Sequence, residues 1–495
     1  MFRQKRNFYI TTTLPYVNAE PHLGFALEIV QADVLARWHR QRGDEVFFNT
    51  GTDEHGLKIF RQAQREKMDV QHYCDIYARK FENLKEALNL SYNSFIRTTE
   101  KRHEEATQEF WRLCLKKGDI YKKNYRVKYC VGCELEKTES ELENGRCPFH
   151  PQQELEIIEE ENYFFRYSRY QKKLLELYEK NPQFVVPASR LNEVKEFTKR
   201  GLEDFSISRL KEKMPWGIPV PGDDKHVMYV WFDALINYIS SLGWPTAEKT
   251  FKDFWPGIQV AGKDNLRQQS SMWQAMLMSA GLPTSKQILI HGFVTANGQK
   301  MSKTLGNVVN PFVLVEKYGT DAVRYFLLRE FSPFEDGDFT REKFEQRYKA
   351  DLANGLGNLV ARVLKLSQLM SFSYPLQDCS AKSFLSFLSF GGWGGFHFGL
   401  ALKKAGQDYE KAMVSFKFNE ALAALWGLIN FCDRYLSEKK PWQGGEGAAQ
   451  AVKNTLKALA VIAEWLFPFL PQTAEKIKER LRTGRDKELL FPPLS

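Results

Sequence analysis

The N-terminal part of the chain alternates between short apolar runs and one longer helical pattern. The segments "NFYITTTLPY" and "DEVFFNTGTDEHG" are typical of buried strands, the second ending in a glycine-containing loop. Between them, "GFALEIVQADVLARWHRQRG" places apolar residues at helical spacing from Ala26 to Leu35 and stops at Gly43. Strand, helix and strand within about fifty residues predict a βαβ unit, the start of a parallel sheet.

The middle of the chain changes character twice. From about 119 to 225 it contains a cysteine cluster, the charged run "ELEIIEEENYFF" and the proline- and glycine-rich "MPWGIPVPGDD", which together predict an insertion into the sheet domain. The α/β pattern then resumes with two strand candidates, "HVMYVWFDAL" and "QILIHGFVTANG". Before the insertion, amphipathic segments at roughly 68–89 and 100–118 predict helices.

Beyond about residue 340 the strand patterns stop, and long segments with a 3.6-residue apolar period predict a helical bundle. A segment rich in Phe and Gly, "FLSFGGWGGFHFGL" (387–400), is predicted to be a loop between helices. The predicted fold class is α/β, a doubly wound Rossmann-like sheet domain with an insertion, followed by an all-α domain. The expected boundaries are 1–118 and 226–345 for the two halves of the sheet domain, 119–225 for the insertion and 346–495 for the bundle.

Composition and charge exclude few classes of protein. The net charge of +9 is modest for 495 residues, so it allows an anionic partner without requiring one. No apolar stretch of about eighteen residues occurs, so no membrane-spanning helix is expected, and the basic N-terminal tip lacks the long apolar region of a secretory signal. Three of the seven cysteines cluster with a histidine and the other four are scattered, which favours a reducing compartment, and we expect a cytoplasmic location.

Four residues have the spacing of a metal site. Cys130 and Cys133 form a C-x-x-C pair, and after thirteen intervening residues Cys147 and His150 form a C-x-x-H pair. Two such pairs can fold around one tetrahedral Zn²⁺. Since four protein ligands leave no open coordination position, the predicted zinc is structural. The alternative is a set of unrelated free thiols.

Two further stretches suggest a nucleotide site. His22 and Gly24 stand where the first predicted strand turns into the first helix, whose N-terminus presents N–H groups to a phosphate. On its own this signal is weak, since His22 could simply cap or pack at a turn. Lys300 and Lys303 of "GQKMSKTLGN" lie in a predicted loop. Two ammonium groups on a mobile loop can stabilise the charge that grows on pyrophosphate when the α-phosphate of ATP is attacked, although a solvated basic turn is the alternative.

The pairing of "HLGF" (22–25) with "KMSKT" (300–304) resembles the two signatures of class I aminoacyl-tRNA synthetases. With "FFNTGTDEHG", "YVWFDAL", "AGKDN" and "EKKPW", the ordered set resembles the methionyl-tRNA synthetase family, of the bacterial type with a single zinc knuckle. The resemblance extends from residue 8 to about 475. It implies an enzyme that uses ATP to form methionyl-adenylate and then charges tRNA(Met), with Mg²⁺ bridging the phosphates and no covalent nucleophile.

The same resemblance implies the site residues. The nucleotide set is His22, Gly24, Phe25, Lys300, Lys303 and Thr304, of which His22, Lys300 and Lys303 are catalytic. The methionine set is Leu14, Tyr16, Asp53, Trp231, Ala234, Tyr238 and Gln269, with Asp53 binding the ammonium group. The anticodon set is Asn358, Arg362 and Trp442, whose first two members are four residues apart on one helix face. No oligonucleotide-binding extension follows the bundle, so a monomer is expected.

Several positions depart from the family pattern. Phe25 replaces the second histidine of the first signature, and Thr304 replaces a serine but keeps the hydroxyl. Asn265 and Gln269 stand where an apolar residue and a histidine are common beside the methionine pocket, and Leu235 replaces a frequent proline.

These departures leave rival interpretations open. One is a synthetase-like chain that has lost catalysis and only binds tRNA, against which the retained lysines, Asp53 and the zinc quartet argue. A simple nucleotidyltransferase would lack the "EKKPW" bundle. A synthetase for cysteine would need an open metal site, whereas these four ligands lie in one compact knuckle.

Overall fold

The computed structural model describes residues 6–133, 135–137, 139–301, 306–370, 396–484 and 488–494, and the chain divides into two compact units. The first, here called the sheet unit, combines Met1–Pro21, Glu45–Asn83 and Tyr92–Ile290. The second, the helical unit, combines His22–Asp44, Leu84–Ser91 and His291–Ser495. Each unit is therefore built from discontinuous stretches of sequence.

The strands are β1 Asn7–Thr12, β2 Glu45–Thr52, β3 Ser94–Arg97, β4 Ile120–Cys130, β5 Leu135–Lys137, β6 Glu156–Phe165, β7 Val185–Val186, β8 Phe205–Ser206, β9 Ser208–Leu210, β10 Pro219–Val220, β11 Asp223–Met228, β12 Ile258–Gly262, β13 Gln287–His291, β14 Val294–Ala296, β15 Gln299–Lys300 and β16 Gly337–Phe339.

The α-helices are α1 Leu23–Gln41, α2 Leu57–Arg65, α3 Val70–Glu82, α4 Leu84–Ala87, α5 Lys101–Lys116, α6 Gln171–Lys180, α7 Ala188–Lys199, α8 Val230–Ala234, α9 Asn237–Ser240, α10 Glu248–Phe254, α11 Trp273–Ala280, α12 Pro311–Tyr318, α13 Thr320–Arg329, α14 Arg341–Arg347, α15 Asn358–Leu369, α16 Phe396–Val414, α17 Phe418–Lys439, α18 Ala448–Leu466 and α19 Pro471–Thr483.

A six-stranded sheet forms the centre of the sheet unit. Its order is β3-β2-β1-β12-β13-β7, and β1 pairs in parallel with both β2 and β12. The predicted βαβ unit and the doubly wound sheet are confirmed, because strands extend to both sides of β1. β12, from the short apolar run "IQVAG", was not predicted. Its residues are all buried, so their pattern carries no alternation to read.

The two strand candidates after the insertion have different outcomes. "QILIHGFVTANG" supplies β13 and β14, as predicted. In "HVMYVWFDAL" the strand ends at Met228 and pairs antiparallel with β9 in a small three-stranded sheet, while Val230–Ala234 form α8. The strand interpretation was wrong for that second half because a short continuous apolar run does not distinguish a strand from a buried helix. Before these two segments, in the stretch predicted as an insertion (119–225), β4, β5, β6 and β8 form a separate four-stranded antiparallel sheet.

The predicted helices are largely confirmed. The segment at 68–89 is divided into α3 and α4, whereas 100–118 is one helix, α5. Helices α14–α19 form the predicted all-α part, with α16 packed on α17 and α18 on α19. Of the predicted loop at 387–400, the first nine residues lie outside the described residues, and the loop prediction is wrong for the rest because Phe396 begins α16. Among the described helices, none is long and apolar enough to cross a membrane.

A buried ion pair joins the three stretches of the helical unit. Arg324 of α13 and Asp33 of α1 are both fully buried, and Arg324 Nη2 lies 2.8 Å from Asp33 Oδ2. Other N–H groups of Arg324 donate to the carbonyls of Leu88, Pro468 and Phe469, so one guanidinium binds three other segments of the chain.

The carboxylate oxygens of Asp33 also have several hydrogen-bond donors. It accepts hydrogen bonds from Arg37 and from both the backbone N–H and the hydroxyl of Ser91. Burial alone would raise the pKa of Asp33, but the charges of Arg324 and Arg37 outweigh it, so the pKa lies below its usual value. The carboxylate is therefore ionised at neutral pH and depends on its partners.

Replacing Arg324 with methionine is expected to destabilise the helical unit strongly. The change leaves Asp33 buried without its main cationic partner, which costs about 3–5 kcal/mol of unfolding free energy. Urea unfolding followed by circular dichroism measures the loss. Arg341→Met removes an exposed arginine paired with Glu345 in the same unit and should shift the curve little. Equal shifts for the two variants would contradict this role of Arg324.

Candidate functional site

The N-terminus of α1 is shaped by His22. His22 is the N-cap residue, and its Nδ1 accepts a hydrogen bond from the N–H of Gly24 at 3.1 Å. A Cβ on residue 24 would lie 2.9 Å from the imidazole, so only glycine leaves room for this ring position. Because Nδ1 is the acceptor, neutral His22 carries its proton on Nε2 and can donate it to an anion.

Lys300 lies in a β-hairpin that precedes α12. β14 and β15 are joined by Asn297 and Gly298, both with positive φ (54° and 75°), as in a two-residue type I′ turn. Asp338 supports the turn by accepting hydrogen bonds from the Gly298 N–H and the Thr295 hydroxyl, each at 2.7 Å. The prediction of a loop was wrong for Lys300, which lies on β15, and the "NG" pair was the sequence signal that indicates the hairpin. Lys303 and Thr304 lie outside the described residues.

The structure places the described part of the second signature, Lys300 and Met301, close to the first signature within the helical unit. The Met301 methyl lies 3.8 Å from the position that a Cβ on Gly24 would occupy. Surrounding protein atoms and the Lys300 ammonium lower the pKa of His22, which keeps the imidazole neutral with Nε2–H as a donor. Phe25, by contrast, is buried in the core. The cation, the donor and the helix N-terminus together form a site that suits a polyphosphate.

Asp53 and Tyr16 are held side by side in the sheet unit. They form an isolated parallel bridge, in which the Asp53 N–H donates to the Pro15 carbonyl at 3.0 Å and the Val17 N–H donates to the Asp53 carbonyl at 3.3 Å. Leu14 is half-buried at the start of this segment. The end of β2 therefore carries a buried carboxylate next to an aromatic and an aliphatic side chain, a combination that fits an amino acid.

The residue after Asp53 anchors this loop. Glu54 is fully buried and accepts a two-pronged pair of hydrogen bonds from Arg97, at 2.6 and 2.9 Å, with a third from the Thr99 hydroxyl. Its backbone N–H and carbonyl are bound by Thr98 and by the indole of Trp216. Sequence reasoning missed these partners because they come from distant parts of the chain.

His55 ties the same loop to α8. Its Nδ1 lies 2.7 Å from Asp233 Oδ2, and His103 of α5 binds the other oxygen of Asp233 at 2.8 Å. Burial alone would lower the pKa of His55, but the Asp233 carboxylate outweighs it and raises the pKa. Burial alone would raise the pKa of Asp233, but His55 and His103 lower it. Asp233 therefore links the Asp53 loop to the helix that carries Trp231 and Ala234.

Two members of the predicted methionine set meet at one buried cluster, and three others are buried in the same unit. Tyr16 and Trp231 both pack against a buried cluster formed by Tyr129, Tyr229 and Val230. Ala234 and Tyr238 follow Trp231 at helical spacing and are buried. Gln269 is also buried, and its Nε2 donates to the Tyr238 hydroxyl at 2.6 Å.

The four candidate metal ligands are close together. Their ligand atoms all lie within 4.8 Å of one another, with Cys133 Sγ 3.5 Å from Cys147 Sγ and 3.2 Å from His150 Nδ1. A Cβ on Gly132 would lie 2.5 Å from the His150 ring. The ring therefore packs directly against the backbone of the turn between Cys130 and Cys133. The quartet can hold one tetrahedral metal ion.

The anticodon candidates lie together on the helical unit. Arg362 donates to Asp433 at 2.7 Å, and its guanidinium lies 4.9 Å from the ring centre of Trp442. Trp442 is 49 % exposed, and Asn358, one turn before Arg362 on α15, is exposed as well. An exposed indole beside a cation offers a stacking surface for unpaired bases.

Comparison with known proteins identifies the family to which this chain belongs. Residues 8–156 and 135–364 match the family model "tRNA synthetases class I (M)", and residues 401–492 match the anticodon-binding domain of tRNA ligases. The chain belongs to the class I methionyl-tRNA synthetase family. The family resemblance read from the sequence is therefore confirmed.

Curated relatives match this synthetase over nearly its whole length. The methionine–tRNA ligase of Thermotoga maritima is 41 % identical over 483 residues, covering 96 % of this chain and 75 % of that protein. The enzyme of Thermosynechococcus vestitus is 42 % identical, covering 96 % of this chain and 90 % of that protein.

Solved structures agree with the fold. Mycobacterium tuberculosis methionyl-tRNA synthetase in complex with methionyl-adenylate superposes with a TM-score of 0.89 at 34 % identity, covering 98 % of this chain and all of that one. The free form of the same protein gives a TM-score of 0.80 at 31 % identity, covering 100 % and 99 % of the two chains.

The Asp233 pair predicts a pH-dependent effect of Asp233→Asn on stability. Losing the charge of Asp233 in its hydrogen bonds to His55 and His103 should lower the free energy of unfolding by about 1.5–3 kcal/mol. The contribution of His55 is complete below its unfolded pKa of about 6.5 and is lost as pH rises through its raised folded pKa. The contribution of Asp233 is present above about pH 4 and is lost only as pH falls through its lowered folded pKa.

The difference in free energy of unfolding between wild type and Asp233→Asn should therefore be largest between about pH 4 and 6.5. It should become smaller towards pH 9. Thermal unfolding midpoints at matched pH values measure it, with His55→Gln as the control that removes the pH dependence. A difference that stays constant from pH 6 to pH 9 would show that His55 does not titrate against Asp233.

Proposed function

We propose that this synthetase activates methionine with ATP and transfers it to tRNA(Met), supplying both initiation and elongation of translation. The observation that carries the proposal is the match of one chain, in order, to the catalytic model and to the anticodon-binding model. The superposition on a relative that contains methionyl-adenylate supports the same first step.

In the adenylate step the methionine carboxylate attacks the α-phosphate of ATP, and pyrophosphate leaves. His22 Nε2–H and the N-terminus of α1 bind phosphate oxygens, with Gly24 allowing close approach and Phe25 packing beneath. Lys300, with Lys303 and Thr304 from the following stretch, stabilises the charge on the departing pyrophosphate. Mg²⁺ supplied with ATP neutralises phosphate oxygens. No side chain of the chain acts as a nucleophile, so catalysis is positioning and electrostatics.

The amino acid is recognised by the sheet unit. Asp53, fixed by its backbone bridge to Tyr16, binds the substrate ammonium group. The side chain enters a pocket formed by Leu14, Tyr16, Trp231, Ala234 and Tyr238, with Gln269 behind Tyr238. Aromatic walls suit a polarisable thioether and exclude side chains of other shapes.

The Cys130–Cys133–Cys147–His150 quartet holds one structural Zn²⁺. With Zn–S bonds of about 2.3 Å, tetrahedral geometry places ligand atoms about 3.5–3.8 Å apart. The Cys133–Cys147 and Cys130–His150 separations of 3.5 and 3.7 Å match this, and the Cys133–His150 separation is shorter, at 3.2 Å. Val131, between the first two ligands, packs against the cluster that also supports Tyr16 and Trp231. A metal ion held by the quartet would therefore stabilise, through Val131, the cluster against which Tyr16 and Trp231 pack.

Recognition of the tRNA uses Asn358, Arg362 and Trp442. The ion pair to Asp433 and the stacking on Trp442 hold Arg362 in place, so its donors are oriented before the anticodon arrives. A monomer and a cytoplasmic location remain predictions, as do the domain boundaries.

Variants of Lys300 and Trp442 separate the two halves of the reaction. Lys300→Ala should lower methionine-dependent exchange of pyrophosphate into ATP about 10²–10³-fold, because it removes a cation from the charge that develops in the transition state. Trp442→Ala should leave that exchange unchanged and reduce charging of tRNA(Met), mainly through KM for the tRNA.

Lys172→Ala, an exposed lysine on α6, is the control for lost surface charge. If Lys300→Ala kept wild-type exchange while Lys172→Ala lowered it, the assignment of Lys300 to pyrophosphate would be wrong. Loss of exchange in Trp442→Ala would place Trp442 in the fold instead of at the anticodon.

The metal site predicts the effect of Gly132→Ala. The added methyl group meets His150 at 2.5 Å and forces the ring away from the sulfurs, so bound zinc should fall well below one per chain. Elemental analysis of purified protein measures the stoichiometry. Gly427→Ala, where an added Cβ meets nothing within 4 Å, is the control. Full zinc content in Gly132→Ala would exclude His150 as a ligand.

A further inference from the structure

Lys58 occupies a position that its own helix disfavours. It is the second residue of α2, which begins at Leu57, four residues after Asp53. A cation is repelled by the positive end of a helix, and the first turn of α2 contains no acidic residue that would offset the repulsion. The contacts that stabilise the Lys58 ammonium therefore come from outside the helix.

These contacts join two regions that are distant in the sequence. The Lys58 ammonium lies 5.4 Å from the centre of the Tyr16 ring, within the range of a cation–π interaction. The same ammonium donates to the Gly132 carbonyl at 3.3 Å. Gly132 belongs to the turn at residues 130–133, which we call the knuckle turn and which carries two of the candidate metal ligands. One half-buried side chain thus connects the Tyr16 ring to the metal site.

The regions that Lys58 connects also share one apolar support. Tyr16, Leu57 and Val131 all pack against the same buried aromatic cluster. Tyr16 comes from the segment after β1, Leu57 from the start of α2 and Val131 from the knuckle turn. The ammonium of Lys58 therefore acts where these three segments already meet.

The helix itself is held independently of Lys58. Ile59 and Ala63 are fully buried, and Arg61 makes a paired set of bonds to Glu156 on β6, at 2.6 and 3.1 Å. Replacing Lys58 should therefore remove its contacts to Tyr16 and to the knuckle turn without releasing α2.

We infer that Lys58 is a positioning residue of the amino-acid site, which uses its bond to the Gly132 carbonyl to hold an ammonium over the Tyr16 ring. The inference rests on the proposed function, in which Tyr16 lines the methionine pocket. Because the ammonium is anchored on the knuckle turn, it limits the positions that the Tyr16 ring can adopt before the substrate arrives. A ring that is already in place reduces the ordering cost of binding. The knuckle turn and the methionine pocket are then coupled through one side chain.

The test measures Kd for methionine by calorimetry on full-length, zinc-replete protein, together with kcat and KM in pyrophosphate exchange. Lys58→Met keeps most of the side-chain volume but has neither the charge nor the donor. It should raise Kd and KM for methionine roughly two- to fivefold and leave kcat and KM for ATP close to wild type. Lys58→Arg, which keeps a cation with several donors, should restore most of the affinity.

Lys122→Met is the matched control. Lys122 also lies over a tyrosine ring, 4.8 Å from the centre of Tyr163, and pairs with Asp223 at 2.8 Å. Its replacement should leave Kd for methionine unchanged. In the Tyr16→Leu background, Lys58→Met should raise Kd no further, because the ring that Lys58 holds is already absent.

Several results would overturn the inference. One is an unchanged Kd for methionine in folded Lys58→Met or, if that variant does not fold, in Lys58→Gln. Others are equal losses in Lys58→Met and Lys122→Met, or additive effects of Lys58→Met and Tyr16→Leu. A fall in bound zinc in Lys58→Met would show that Lys58 supports the metal site instead of the Tyr16 ring. Absence of any methionine-dependent exchange in the wild-type protein would instead contradict the proposed function.

Discussion

The buried pair of Arg324 and Asp33 is the interaction on which the helical unit depends. Two charges removed from water are tolerated only when every remaining donor and acceptor has a partner. Here those partners are the Arg37 side chain, Ser91, and the carbonyls of Leu88, Pro468 and Phe469. The requirement explains why α1, which carries His22 at its N-terminus, belongs to the same compact unit as the C-terminal helices. A network centred on the middle of α1 therefore positions its N-terminal end, which we propose binds the nucleotide.

The same principle recurs around the residues that we propose bind the amino acid. Asp53 lies on a loop whose next residues, Glu54 and His55, are each held by a charged partner, Arg97 and Asp233 respectively. The Tyr238 hydroxyl accepts a hydrogen bond from Gln269, whose own amide oxygen accepts one from Gln259. Satisfied polar networks of this kind keep a binding site rigid before substrate arrives, which reduces the ordering cost of binding. They also make the site sensitive to a single lost donor.

Sequence patterns predicted the features that depend on local spacing. The βαβ start, the Cys and His quartet and the long C-terminal helices were all visible, because periodicity and ligand spacing are properties of neighbouring residues. The partners of Asp233 were not visible, since His55 and His103 lie 178 and 130 residues away along the chain. The Asn297–Gly298 dipeptide is itself a signal for a hairpin turn. A loop was predicted instead, on the basis of the two lysines that follow it. The α8 segment was misread because its apolar run fits a strand as well as a helix.

The measurement that tests the account most directly is amino-acid-dependent exchange of labelled pyrophosphate into ATP by the wild-type, zinc-replete protein without tRNA. Methionine, cysteine, leucine, isoleucine and valine are compared in parallel. We expect exchange with methionine and little with the others, despite Phe25 in the first signature. Folded protein that shows no exchange with methionine, or exchanges equally with another amino acid, would contradict the assignment of the pocket and of the chemistry.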